Sequence, residues 1–253
     1  MKTKHDYIAV FDSGVGGISV LRHLRGLMPA QRWLYFGDCA NAPYGSRTTE
    51  EVRALTLAAV ETILAQYPVK ALVVACNTAT AAAIGILREK YPGLIVIGIE
   101  PALKLAADRF PGGHIGVLAT EVTLREEKFD HLLQRFPDCT VEKIPAPGLV
   151  PLIEAGKADS PETLELLRQI LAPYVGKLDA LVLGCTHYPF AAAAIRRILG
   201  PEVLLLDGGE GTARETLRRL TQEDLLADSG EGSLLIRSSA DDEALRALAQ
   251  QYL

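Results

Sequence analysis

Short apolar runs recur along the chain and alternate with segments of helical period. Ile8-Ala9-Val10-Phe11 predicts a strand, followed by a glycine-rich turn and a helix through Leu21-Arg22-His23-Leu24. Trp33-Leu34-Tyr35-Phe36 predicts a second strand, Ala54 to Ala65 a helix, and Ala71-Leu72-Val73-Val74-Ala75 a third strand. An alanine-rich helix through Ile84 and Leu87 leads on to Ile95-Val96-Ile97-Gly98-Ile99. Apolar runs this short, separated by helices, suit parallel strands covered on both faces.

The pattern then starts again. Ile115-Gly116-Val117-Leu118 matches the first run at an offset of 107 (115 minus 8). Ala180-Leu181-Val182-Leu183-Gly184-Cys185 matches Ala71-Leu72-Val73-Val74-Ala75-Cys76 at 109 (185 minus 76). Val203-Leu204-Leu205-Leu206-Asp207 matches Val96-Ile97-Gly98-Ile99-Glu100 at 107 (203 minus 96). Strand-sized apolar runs resemble one another by composition, but three matches in one order at nearly one offset predict a duplicated α/β unit.

The expected fold is therefore two similar three-layer α/β domains with mostly parallel sheets, related by a pseudo-two-fold, with the active site in the cleft between them. The first domain would comprise 1–97 plus 208–253, because a helix through Leu217 and the run Leu234-Leu235-Ile236 are read as packing back on it. The second would comprise 98–207. No Pro- or Ser-rich linker parts them, so contact is expected, with a ligand at the carboxyl ends of the strands.

Composition narrows the function. With 49% hydrophobic and 23% charged residues the chain has the make-up of a globular protein. The net charge of -5 and scattered basic residues argue against a nucleic-acid partner. No run approaches the roughly 18 apolar residues of a membrane helix, and the N-terminus lacks a signal-peptide core. Four cysteines (Cys39, Cys76, Cys139, Cys185) without CxxC spacing fit free thiols in a reducing, cytoplasmic setting.

Two of those cysteines occupy matching places in the repeat. Cys76 precedes Asn77-Thr78, and Cys185 precedes Thr186-His187. Each is expected where a strand meets a helix N-terminus, on a polar rim, with its thiol pKa lowered by the helix dipole. A free cysteine is ordinarily a small buried hydrophobe, but coincidence explains two matched ones poorly. A disulfide would conflict with a reducing compartment. A metal site would want more ligands than His187 supplies, and a Cys-His nucleophile would leave one thiol unexplained. Racemisation needs two acid/base groups on opposite faces of one carbon, which duplicated units can supply.

At these residues the chain resembles the glutamate racemase family, the cofactor-independent two-cysteine aspartate/glutamate racemases. The resemblance is carried by Asp12-Ser13-Gly14-Val15-Gly16-Gly17, Pro43-Tyr44-Gly45-Ser46-Arg47, Cys76-Asn77-Thr78 and Gly184-Cys185-Thr186-His187-Tyr188-Pro189. Gly98-Ile99-Glu100-Pro101-Ala102 and Asp207-Gly208-Gly209-Glu210-Gly211-Thr212 extend it over nearly the whole chain. The first stretch lacks the Lys-Ser/Thr ending of a phosphate loop.

The resemblance implies Cys76 and Cys185 as the acid/base pair, Asp12 assisting one cysteine, His187 the other, and Glu154 as a further carboxylate. Their ordinary alternatives are a helix cap for Asp12, a structural histidine for His187 and an exposed helix carboxylate for Glu154. Ser13, Asn77, Thr78, Thr120, Thr123 and Thr186 are expected to meet the substrate, as is the turn Pro43-Tyr44-Gly45, where glycine admits close backbone approach. Hydroxyls and backbone N–H groups, rather than an arginine cluster, would hold the carboxylates. Neither pyridoxal phosphate nor metal is implied; the partner is glutamate, the product D-glutamate serves peptidoglycan, and the assembly is a homodimer. Cys39 departs from a threonine-like residue of the family, and its thiol is expected to be reactive. The alternatives are a racemase for aspartate or another acidic amino acid, a non-catalytic amino-acid-binding protein on the same scaffold, and a Cys-His hydrolase.

Overall fold

The computed structural model describes residues 2–125 and 127–253. In chain order it contains β1 (Tyr7–Asp12), α1 (Ile18–Leu27), β2 (Arg32–Gly37), α2 (Thr49–Gln66), β3 (Val69–Val74), α3 (Asn77–Lys90) and β4 (Ile95–Gly98). Next come α4 (Leu103–Arg109), β5 (His114–Ala119), α5 (Glu121–Arg125), α6 (Glu127–Leu133), β6 (Thr140–Pro145), α7 (Leu149–Glu154) and α8 (Pro161–Leu171). β7 (Ala180–Leu183), α9 (Ala192–Leu199), β8 (Leu204–Asp207), α10 (Gly209–Gln222), β9 (Ser233–Ser238) and α11 (Asp242–Gln250) complete it. Among the described residues no helix is long and apolar enough to cross a membrane.

Two parallel sheets divide these strands. The first runs β4-β3-β1-β2-β9 and the second β6-β5-β7-β8. Read from the other end, the second is β8-β7-β5-β6, the order β4-β3-β1-β2 repeated four strands later. The apolar matches seen in the sequence thus pair β1 with β5, β3 with β7 and β4 with β8. The counterpart of β2 is β6, whose Thr-Val-Glu-Lys-Ile-Pro lacks an apolar run because it lies at a sheet edge and half of it faces outward. The late strand β9 joins the outer edge of β2, with Leu234, Leu235 and Ile236 opposite Trp33, Leu34 and Tyr35.

Alternation along each central strand feeds a core on either face. In the first sheet Ile8, Val10, Trp33, Tyr35 and Val73 meet α1, α10 and α11, while Ala9, Phe11, Leu34, Leu72 and Val74 meet α2 and α3. In the second, Leu118, Leu181 and Leu183 meet α7, α8 and α9, and Ile115, Val117 and Val182 meet α4 and α6. Local chemistry starts the helices: Thr48 and Glu51 form a reciprocal capping box for α2, and Ser160 caps α8 ahead of Pro161. Lys70, buried in β3, keeps its ammonium satisfied by donating to the Lys4 carbonyl and Gln31 Oε1.

Candidate active site

The carboxyl ends of β1, β3 and β7 converge, and each delivers a polar residue to the meeting point. Asp12 ends β1, Cys76 follows β3 and Cys185 follows β7. The Asp12 carboxylate is fully buried; it accepts from the Gly14 N–H at 2.9 Å and from the Thr186 hydroxyl at 3.0 Å. This second bond joins the end of the first sheet to the end of the second.

Cys76 caps α3, its sulfur accepting from the Ala79 N–H at 3.4 Å and lying 3.6 Å from the Ser13 hydroxyl. On the other side Cys185 Sγ lies 3.7 Å from His187 Nδ1. The opposite ring nitrogen, Nε2, meets Glu154 Oε1 at 2.5 Å, and that oxygen also accepts from the Val15 N–H at 2.9 Å. Cys185, His187, Glu154 and the loop after β1 therefore form one chain of contacts across both sheets.

Burial dominates the electrostatics. It pushes the Cys76 thiol up to about 12, helped by the Asp12 charge and opposed by the Ala79 N–H and Ser13. It lifts the Asp12 carboxyl to about 6, against the His187 charge and its two donors. Burial disfavours a charged His187 too, but Cys185 and Glu154, facing its two nitrogens, hold the ring well above the ordinary histidine range. For Glu154 burial is likewise outweighed, here by His187 and the Val15 N–H, which keep it below the usual carboxylate range.

The remaining predicted residues surround this centre. Thr78, Thr120 and Thr123 form a buried trio, with hydroxyl oxygens 3.0 to 3.4 Å apart, bridging α3 to the start of α5. Asn77 is buried, and its Oδ1 has no hydrogen-bond partner among the described residues. Pro43, Tyr44 and Gly45 form a turn beside the trio, with Ala42–Pro43 cis; a Cβ on Gly45 would stand 2.7 Å from Thr120 Cγ2. The side chains of Tyr44 and Thr186 spend their hydroxyls on Asp38 and Asp12 respectively.

A sequence profile of Asp/Glu/Hydantoin racemases matches residues 18–216. The chain belongs to this racemase family. A glutamate racemase of Clostridium botulinum is 42% identical over 100% of this chain and 99% of its own. The fold matches a Thermus thermophilus glutamate racemase in complex with β-chloro-D-alanine at TM-score 0.84 and 41% identity, covering 99% of this chain and 94% of that one. A Francisella tularensis glutamate racemase in complex with D-glutamate matches at TM-score 0.86 and 26% identity, with the same coverage.

Against the expectations from sequence, the candidate site differs in four respects. Cys185 does not sit at a helix N-terminus: a 3-10 turn, Tyr188–Ala191, follows it, and α9 starts only at Ala192. Neither sulfur lies on an exposed rim, Cys76 being 5% and Cys185 7% accessible. The expected lowering at Cys76 is reversed, since one N–H at a helix start does not offset full burial. Cys39, expected to be reactive, is pushed up to about 11 by burial and keeps its proton at neutral pH.

Sequence reasoning missed several supporting residues of the racemase site. Tyr35 donates to the Gly14 carbonyl at 2.6 Å, and the Ser19 hydroxyl lies 2.8 Å from both the Gly16 and Thr186 carbonyls. Gly14 and Gly16 are contact positions: a Cβ there would meet Glu154 Oε1 at 1.9 Å and His187 Nδ1 at 2.4 Å. The repeated glycines of the first motif were the only available signal.

Proposed function

We propose that this chain is a glutamate racemase, interconverting L- and D-glutamate by moving the Cα proton between Cys76 and Cys185. The observation that carries the reading is the matched pair of cysteines, one beyond β3 and one beyond its counterpart β7, within one buried network that spans both sheets. Glutamate as substrate is supported by the relatives, whose names give glutamate racemase at 42–45% identity. The units that close on it are taken as 1–97 with 208–253, and 98–207.

A thiol pushed up to about 12 carries its proton at neutral pH, so Cys76 is the acid when Cys185 is the base. Cys76 delivers its proton to one face of Cα as the opposite face loses one, and the reverse reaction exchanges the roles. His187, its pKa raised by Cys185 and Glu154 at its two ring nitrogens, directs its Nδ1–H toward Cys185 Sγ. Asp12 sits on the Cys76 side, its charge acting on that sulfur while Thr186 fixes its orientation. Asn77 Oδ1, without a hydrogen-bond partner among the described residues, is suited to accept from the substrate ammonium. The threonine trio and the Pro43-Tyr44-Gly45 turn are assigned to substrate binding with Ser13 and Thr186. The four free cysteines accord with a cytoplasmic enzyme; family resemblance supports a homodimer whose D-glutamate serves peptidoglycan.

Incubating either enantiomer in deuterated water tests the reading: both should racemise and take up deuterium at Cα. A protein that does neither to glutamate is not this enzyme. Cys76→Ser and Cys185→Ser should each abolish turnover, and full activity in either would remove the two-thiol mechanism. An aspartate arm in the same assay tests the other acidic substrate.

A further inference from the structure

The turn Pro43-Tyr44-Gly45 has no strand or α-helix of its own, yet it must hold its shape against the threonine trio. What holds it is a buried carboxylate absent from every motif above. Asp38 follows β2, and its backbone N–H donates to the Asp12 carbonyl at 2.9 Å, which fastens it to the end of β1. Its side chain is almost fully buried. Asp38 Oδ2 accepts from the Tyr44 hydroxyl at 2.6 Å, and the Asn41 amide lies 3.0 and 3.1 Å from its two oxygens. The Asn41 carbonyl in turn accepts from Arg47 Nε at 3.0 Å and from a terminal nitrogen of Arg47 at 2.8 Å. Both ends of the turn are thereby tied, and its middle presses Gly45 onto Thr120.

We propose that Asp38 and Arg47 are positioning residues that shape the Pro43-Tyr44-Gly45 turn for the substrate, with the Tyr44 phenol serving as its anchor rather than as a substrate ligand. The inference rests on the functional reading above and deepens it. A tyrosine whose hydroxyl is committed to a buried carboxylate presents backbone, not phenol, to a ligand. Charge-assisted bonds of this kind are short and strong, and a buried carboxylate that loses one is left underpaired. Asp38 sits behind the turn and touches none of the reacting sulfurs, so its loss should loosen binding rather than slow the proton transfer. An interaction made equally in ground and transition states moves KM and leaves kcat in place.

The test is steady-state racemisation of both enantiomers by Asp38→Asn, Tyr44→Phe, the double variant and Arg47→Lys, beside the wild type. Asp38→Asn and Tyr44→Phe should each raise KM about ten-fold with kcat within about two-fold, and the double variant should match the singles because the pair acts as a unit. Arg47→Lys, on a partly exposed side chain, keeps a charge but loses the fork; it should raise KM several-fold and decides the matter if Asp38→Asn does not fold. Unchanged KM in a folded Tyr44→Phe or Arg47→Lys protein overturns the inference. So do increases that multiply in the double variant, the mark of a phenol binding substrate independently of Asp38. A wild type that leaves glutamate unchanged fails the functional reading instead, which separates the two outcomes.

Discussion

The buried Asp12 carboxyl carries a pH-dependent cost to stability. It ionises near 3.8 in an unfolded chain and at about 6 in the folded one, chiefly because burial penalises the charge. As pH rises through that window the unfolded state releases its proton first, so stability falls between the two values and is level above them. At neutral pH the cost is about 3 kcal/mol, taking about two pH units at 1.36 kcal/mol each. Asp12→Asn can keep the Gly14 contact, and the Thr186 hydroxyl can turn to accept from the new amide. We expect a variant with little activity that melts several degrees above wild type at pH 7.5 and converges with it near pH 4; a gap independent of pH would refute this. Glu154→Gln removes one of the two groups, beside Cys185, that raise the His187 pKa. The alkaline limb of kcat should then move to lower pH, with the imidazole titrating nearer its ordinary value by NMR. An unmoved limb would show that Glu154 does not set the state of the ring. At this scale the sequence disclosed the residue types but not their surroundings. Asn77, Thr78, Thr186 and His187 read as a solvent-facing rim because they are polar. In the fold they are buried: Thr78 meets Thr120 and Thr123, Thr186 meets Asp12, and His187 meets Cys185 and Glu154, instead of meeting water.

Among the elements, legibility followed burial on both faces. β1, β3, β5 and β7 are central, so all but a few of their residues, such as Lys70 and Asp12, are apolar or small and each run stood out. β6 escaped because an edge strand carrying Glu142 and Lys143 offers no such run. The helix expected directly after Cys185, as after Cys76, starts only at Ala192, because the 3-10 turn Tyr188–Ala191 intervenes. Some glycines, Gly208 and Gly16 among them, mark where elements approach too closely for a side chain. Gly208, just before α10, lies where one connection between the sheets passes the other: a Cβ there would stand 2.3 Å from the Glu100 carbonyl oxygen. Backbone cannot swing aside as a side chain does, so Gly208→Ala should lose about 1 to 3 kcal/mol in denaturant unfolding, the usual cost of overpacking. Gly16→Ala meets the buried His187 ring and the Thr186 hydroxyl instead, and should depress turnover as well as stability. A Gly208→Ala protein as stable as wild type would mean that the two connections separate freely.

At the scale of the whole molecule, the closed arrangement contains a constraint on its own reaction. Both sulfurs are within 7% of complete burial, and the loop after β1 is bonded to Glu154 and faces His187 and Thr186 without room for a methyl group. On the proposed reading, a substrate reaches the buried sulfurs only if these contacts open, so the sheets are expected to part for entry and close again to expel water. Alkylation of the thiols should therefore proceed through the open form. With iodoacetamide at neutral pH, followed by mass spectrometry, Cys76 and Cys185 should modify slowly. D-glutamate at about 100 times its Kd should slow both further, since ligand that binds only the closed form stabilises it by about 2.7 kcal/mol. Cys39 lies outside the paired site, and its rate should be indifferent to the ligand. Raising the pH should speed Cys76 steeply toward 12, because the thiolate is the reacting species. Rapid modification of Cys76 and Cys185, unaffected by ligand, would mean that the open form dominates and that the contacts among Asp12, Thr186, Glu154 and Val15 do not govern access to the sulfurs.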